Sequence, residues 1–480
     1  MNKETIRDRV KKSMDSHEGR LIAAANDIWD HPEVNFHEDY SSGVLKKLLK
    51  EEDFSITEPL ADLPNTFRAE YGSGSPVIGF LCEFDALSAL SQKAGCTVKD
   101  PLEPGKPGHG CGHNLIGVGS AAAAIAVKEL MEDGLFSGKV VVFGCPAEET
   151  GSAKAFMAKE GCFDGLDVAF SWHPWDYNGI WPGGSLANVK LIFRFKGRAA
   201  HAAAAPHLGR SALDALELMN MGVQFLREHI PEDSRIHYAV TNAGGASPNV
   251  VQAYAEAVYL IRSPRNDDLE DIKNRVIDCA TGAAIMTGTE STWEFVKGCS
   301  GMMPNTALET LLMQTMGEIG VPEFTEEEKA FAGKLHESLE SPESTLAQIS
   351  RLADARTRAK VMQHQGEPIY AFLAPHTPTD SPIVKVSTDV GDVSHITPVG
   401  QICTSAWAAD TPAHTWQVVA IGKSSIAHKA MLFASRTLAE AAARVMTEPE
   451  LLAEAREEFE ERAKTANWAS PIPDGIRPVY

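Results

Sequence analysis

The chain has 480 residues, 44% hydrophobic and 23% charged, with a formal net charge of −21. That length exceeds one ordinary core and predicts two domains of globular composition. The excess of carboxylates argues against nucleic acid and anionic membrane as partners, although a site can still be locally positive. The charged stretch from Met1 to Val10 lacks the apolar core of a signal peptide, and no apolar run is expected to span a membrane. Eight scattered cysteines without a C-x-x-C pair predict reduced thiols and a cytoplasmic protein.

Apolar residues at helical spacing predict a helix over 3–30, ended by Pro32, and a second over 41–51. Pro76-Val-Ile-Gly-Phe-Leu-Cys82 reads as a buried strand and runs into Glu83-Phe-Asp85. A small-residue helix is predicted over 117–133. Lys139-Val-Val-Val-Phe-Gly144 is the next buried strand and leads to Pro146-Ala-Glu148-Glu149. A helix over 153–160 and a strand over 168–172, ending at His173, continue an α/β alternation. From about 186 the texture changes. Strands near 186–195, 235–242 and 250–262, with helices over 211–229 and 267–284, give the β-α-β-β-α-β order of a ferredoxin-like domain. The first texture returns near 300. Residues 323–380 are read as a helical insertion with a long loop capping the site, followed by a C-terminal helix over 423–446. The acidic run 448–462 is read as a solvated face.

The expected architecture is therefore α/β. A catalytic domain with a mixed central sheet flanked by helices is formed by 1–185 and 302–480. An inserted α+β lid and dimerisation domain occupies 186–301.

The chemistry centres on Pro107-Gly-His-Gly-Cys-Gly-His-Asn114. Thiolate and imidazole are ligands of borderline metals. An extended segment would point Cys111 and His113 the same way. Glu148 and Glu149 follow a buried strand, where open α/β sheets place their ligands. Metal-assisted hydrolysis needs one carboxylate as ligand and another as base. His173 ends a strand, and His201 sits among alanines. His414 has His395 and His428 as competitors for a late metal position. Asp85 is placed to orient a ligand histidine. Asn249 and Arg262 are candidates for gripping a carboxylate, which arginine does in a bidentate way.

Asp85, HGCGH, PAEE, the strand-end His173, the segment Gly197-Arg-Ala-Ala-His201 through Pro206-His207, the loop ending at Asn249 and the late His414 together resemble the M20 metallopeptidase and aminoacylase family. The similarity is to its branch in which a cysteine bridges the metals. The resemblance implies two divalent metal ions, Zn or Mn. Cys111 would bridge them, with His113, His173, Glu149 and His414 as further ligands. It also implies Glu148 as base and then acid, and His201 as an oxyanion group reaching a partner subunit's site. Asn249, Arg262 and His207 would lie on the substrate. The implied reaction is hydrolysis of an aryl-acyl amino-acid amide, with p-aminobenzoyl-glutamate foremost, by a homodimer or a heteromer with a related subunit. Two positions depart from the family pattern: Glu83 stands where a metal histidine is usual, and Asn114 where an aspartate is. Other readings are a broader N-acyl-amino-acid or auxin-conjugate amidohydrolase, a thiol hydrolase built on Cys111 and His113, and a non-catalytic partner subunit.

Overall fold

Three near-continuous apolar runs form the heart of the larger sheet, because strands covered by helices on both faces must be apolar on both. The computed structural model describes residues 3–466 and 468–479. In chain order the strands of this sheet are β1 (Ser55–Thr57), β2 (Phe67–Gly72), β3 (Val77–Glu83), β4 (Lys139–Cys145), β5 (Val168–Trp175) and β6 (Gly179–Ile180). After β7 (Ala187–Lys196), β8 (Arg235–Asn242), β9 (Tyr254–Ser263) and β10 (Glu290–Cys299) have formed a second sheet, β11 (Val399–Ser405) returns to the first. The first sheet has the order β1-β2-β4-β3-β5-β11-β6. Its centre, β4-β3-β5-β11, is parallel, and β2 and β6 are antiparallel to their neighbours.

The helix His113–Glu132 is buried along almost its whole length. Its small residues let it lie against β3 and β5: a Cβ on Gly119 would meet the Trp172 ring at 2.8 Å. The sequence reading starts this helix at 117 and takes its apolar run as too short for a membrane. The observed helix is long and apolar enough to cross one, but 89% of its apolar window is packed inside the protein, with the helices Lys3–Asp30 and Ser425–Thr447 against it.

The second sheet has the order β10-β7-β9-β8, all antiparallel. Helices Ala212–Leu226 and Asn266–Thr287 cover one face. Alternation along β9 buries Ala255, Ala257, Tyr259 and Ile261 beneath them. Arg262 therefore belongs to the uncovered face.

Several sequence expectations change. Cys111 and His113 do not share an extended segment. Gly112 turns the chain in a left-handed conformation (φ 78°), and His113 is already the first residue of the helix. Strand β2 went unread, since its mixed sequence FRAEYG lacks a clean period. Of the 323–380 insertion, helical at Glu326–Glu337, Thr345–Ile349 and Ala355–Val361, Glu343 is the residue that lines the cleft; the segment facing the cleft at length is the one just beyond, 384–389. The acidic run is part of the helix Pro449–Ala466, in which Ala455 is the buried residue.

Candidate metal centre

The C-terminal ends of β3, β4 and β5 point at one place, and the side chains gathered there come from short structured links rather than long loops. Asp85 follows β3. One of its oxygens lies 2.8 Å from His113 Nδ1, and the other accepts the Glu149 backbone N–H at 3.0 Å. A carboxylate on Nδ1 presents Nε2 as the ligand atom. His173, inside β5, is oriented in the same sense. Its Nδ1 is 2.6 Å from the Pro174 carbonyl, and its Nε2 is 3.4 Å from Cys111 Sγ. Glu148 and Glu149 lie in the turn after β4, where Ala147 and Ser152 hold positive φ values of 53° and 54°. His414 is held at φ 63°, with its N–H on the Gly110 carbonyl at 2.9 Å. Three non-glycine residues in this conformation mark a backbone bent to place side chains.

The potential ligand atoms fall into overlapping groups. Cys111, His113 and His173 form one, and Cys111, Glu149 and His414 another, each with its atoms within 4.8 Å of one another. His113, Glu148 and Glu149 form a third. His113 Nε2 and Glu149 Oε1 are buried and have no hydrogen-bond partner. Buried polar atoms are rarely left so. Two unpartnered ligand atoms in a thiol, imidazole and carboxylate cluster fit a bound cation. The competitors of His414 are occupied elsewhere: His395 lies on the Gly301 carbonyl at 3.0 Å and His428 on Asn26 at 2.9 Å.

The charges are mutually arranged. Burial works to raise the Cys111 thiol, but the imidazoles of His173 and His113 bring it down to about 6. Burial likewise opposes ionisation of Glu149, and contact with His414 and the charge of His113 draw it down to about 2. The contacts of His414 with Cys111 and Glu149 push it up to about 11. Glu148 goes the other way. Burial and then the carboxylates Glu83, Asp389 and Glu149 hold its carboxyl well above the ordinary range. Adjacent acids with opposite shifts are suited to different roles, one as ligand and one as proton carrier.

The cluster opens on a cleft of about 570 Å³ whose lining includes Glu148, His173, Trp175, Trp181, Arg262 and His414. Asn249, His201 and His207 are not brought to it. All three are exposed on the smaller domain, and His201 Nδ1 accepts N–H bonds from Ala203 and Ala204. Sequence reasoning missed a buried charge cluster beside the site. Lys154, fully buried, lies 2.9 Å from Glu83 Oε1 and 2.6 Å from Asp389 Oδ1. A lysine near the start of the otherwise apolar run Ala153–Ala158 is its visible signal. Asp389 carried none.

A parallel-centred α/β sheet with a Cys/His/Glu cluster at its strand ends, and an inserted antiparallel domain, defines a metal-dependent hydrolase. Residues 185–285 match the peptidase dimerisation domain of the M20 family. The chain is 44% identical over 471 residues to the B subunit of p-aminobenzoyl-glutamate hydrolase of Escherichia coli (strain K12), covering 98% of each chain. It is 31% identical to a Xaa-Arg dipeptidase of Mus musculus, over 69% of this chain and 75% of that one. A solved dinuclear metal-binding peptidase of the M20 family from Bacillus subtilis shares the fold at a TM-score of 0.57 and 16% identity, over 90% of this chain and 99% of that one. The chain belongs to the M20 family of metal-dependent peptidases and amidohydrolases.

Proposed function

We propose that this amidohydrolase cleaves p-aminobenzoyl-glutamate to p-aminobenzoate and glutamate. The observation that carries the reading is Glu148, a carboxyl held above its ordinary range, beside two candidate ligand groups that share Cys111, in a cleft lined by both tryptophan and arginine. The 44% identical relative of that name supports the substrate. Two divalent cations, zinc or manganese, would be held by Cys111, His113 and His173 and by Cys111, Glu149 and His414, the donor chemistry fitting zinc well. Such ions polarise a carbonyl and make water acidic.

The protein's own groups do the rest. Trp175 and Trp181 offer flat apolar surface to the aryl ring. Arg262 meets a carboxylate of the amino-acid half, its guanidinium steadied by the Ser387 hydroxyl at 2.8 Å. Glu148 accepts the proton of the attacking water and returns it to the amide nitrogen, so that the C–N bond breaks with a neutral amine leaving. Asp85 holds the His113 ring in place throughout. Exposed on the lid, His201 acts in the site of a partner, either a second copy or a related subunit.

The test is release of p-aminobenzoate by purified protein of known metal content, together with a Glu148→Gln variant. Loss of turnover by about 100-fold or more with metal content retained is expected for a general base. A variant of near-normal activity refutes the role. Metal-replete protein that releases nothing until a related subunit is added identifies a heteromer.

A further inference from the structure

The geometry points to a subsite for a second carboxylate, so that the cleft selects amino acids with acidic side chains. The inference rests on the proposed amide-hydrolase reading and extends it to the leaving half of the substrate.

One row of the lid sheet carries it. Register places Cys299 opposite Asn188, Asn188 opposite Arg262, and Arg262 opposite Arg235, so a single line crosses all four strands. All four residues line the cleft. Like charges directly opposite each other in a sheet are destabilising. No ion pair among the described residues relieves this pair: Arg235 donates to the carbonyls of Glu232 and Ser234, Arg262 donates to Ser387, and the carboxylates of Asp233 and Glu148 act on them without direct contact. Burial alone lowers the Arg262 guanidinium. The neighbouring cations are already engaged, Lys297 on the Glu149 carbonyl at 2.9 Å and Lys385 on Asp233 at 2.5 Å.

Asn188, 4% exposed, donates its amide N–H to Cys299 Sγ at 3.0 Å and leaves its acceptor Oδ1 unpartnered, so it offers nothing to an anion itself. The two guanidinium groups, side by side on the cleft lining and without an ion-pair partner among the described residues, are what suits an anion.

Two arginines as direct cross-strand neighbours suit a ligand with two carboxylates. Their Cβ atoms are about 4.5–5.5 Å apart and each carries a flexible stem. A glutamyl residue, whose carboxylates are joined by three carbon atoms, is such a ligand. Arg262, nearer the carboxylate cluster and influenced by Glu148, takes the α-carboxylate, and Arg235 takes the side-chain carboxylate. The same pair repels a basic side chain, which sets this chain apart from a dipeptidase acting on Xaa-Arg.

The metal-loaded protein is assayed on p-aminobenzoyl-glutamate and on p-aminobenzoyl-glutamine, which has the same shape without the second charge. Wild type should prefer the glutamate compound in kcat/KM by about 10-fold or more, as expected when a site built for a charged partner meets a neutral one. In Arg235→Gln that preference should collapse towards unity, mainly through KM. An unchanged preference, or an equal loss on both substrates, overturns the subsite. Calorimetric binding of glutarate and of its monoamide, in wild type and Arg235→Gln, separates the two failures. If neither amide is cleaved but Arg235 still controls the preference for glutarate, the substrate reading falls and the subsite stands. If wild type binds both compounds equally, the subsite falls whatever is cleaved. Should Arg235→Gln not fold, Arg235→Met takes its place in the glutarate and monoamide titrations, and an unaltered preference for glutarate overturns the proposal.

Discussion

Replacing Lys154 probes the electrostatic support beneath the site. Its ammonium is 0% exposed and lies between Glu83 and Asp389, whose side chains are 4% and 0% exposed. A single cation faces two buried carboxylates. Burial opposes ionisation of Glu83, but Lys154 and His113 hold it below its ordinary range. Burial pushes Asp389 up despite the same ammonium. Lys154→Met keeps most of the stem's volume and strands the Glu83 charge. Removing one partner of a buried pair costs about 3–5 kcal/mol, and the weaker tendency of Asp389 to ionise, raised by burial, directs the expectation to the lower figure. With a urea slope of about 3 kcal/mol per M, the midpoint should fall by about 1 M. The measurement is urea unfolding of chelator-treated and metal-loaded protein. The triple variant Lys154→Met, Glu83→Gln, Asp389→Asn, which removes every charge, should recover most of the loss. A midpoint shift in Lys154→Met below about 0.2 M, or a triple variant no more stable than the single one, would refute the reasoning.

Gly112→Ala should destabilise by about 2 kcal/mol and lower metal retention on dialysis, because the residue holds φ 78° and a Cβ would meet Pro174 Cγ at 2.7 Å. Burial, followed by the charge of Asp85, pushes the Glu38 carboxyl up to about 8 from 4.5. With the folded pKa above the unfolded one, its contribution is fully present below pH 4.5 and is lost as pH rises through about 8. Glu38→Gln should therefore come close to wild type near pH 5 and exceed it by roughly 4 to 5 kcal/mol near pH 9 in unfolding free energy from denaturant titration. If His201 serves a partner's site, co-expressed His201→Ala and Glu148→Ala chains should regain roughly a quarter of wild-type activity, since half the dimers are hybrids with one competent site each. Hybrids as inactive as their parents place His201 outside the reaction.

Much of the fold is legible in the sequence because its dominant elements carry strong local signals. The apolar runs of β3, β4 and β5 can only be covered strands, and the polar residues in or just past their final residues, Glu83, Glu148 and His173, stand near the ends that a parallel sheet exposes. The lid's order of strands and helices is likewise written in alternating periods. Strand β2 lacks such a period and shows itself only by pairing with β1 and β4.

By itself the sequence determined which residue types are available for chemistry: a cysteine and histidine in a glycine-rich turn, two adjacent acids and a late histidine. The tertiary structure alone decided their company. The left-handed turn at Gly112 and the helix start at His113 aim the candidate ligand atoms, and Asp85 engages one ring nitrogen and leaves the other free for an ion. Lys154 meets Asp389 across more than two hundred residues of chain. The row from Cys299 to Arg235 joins four strands whose order and register no local pattern encodes. Local propensity acts over a few residues, whereas the charges and spacing that define a site arise where distant segments are packed together.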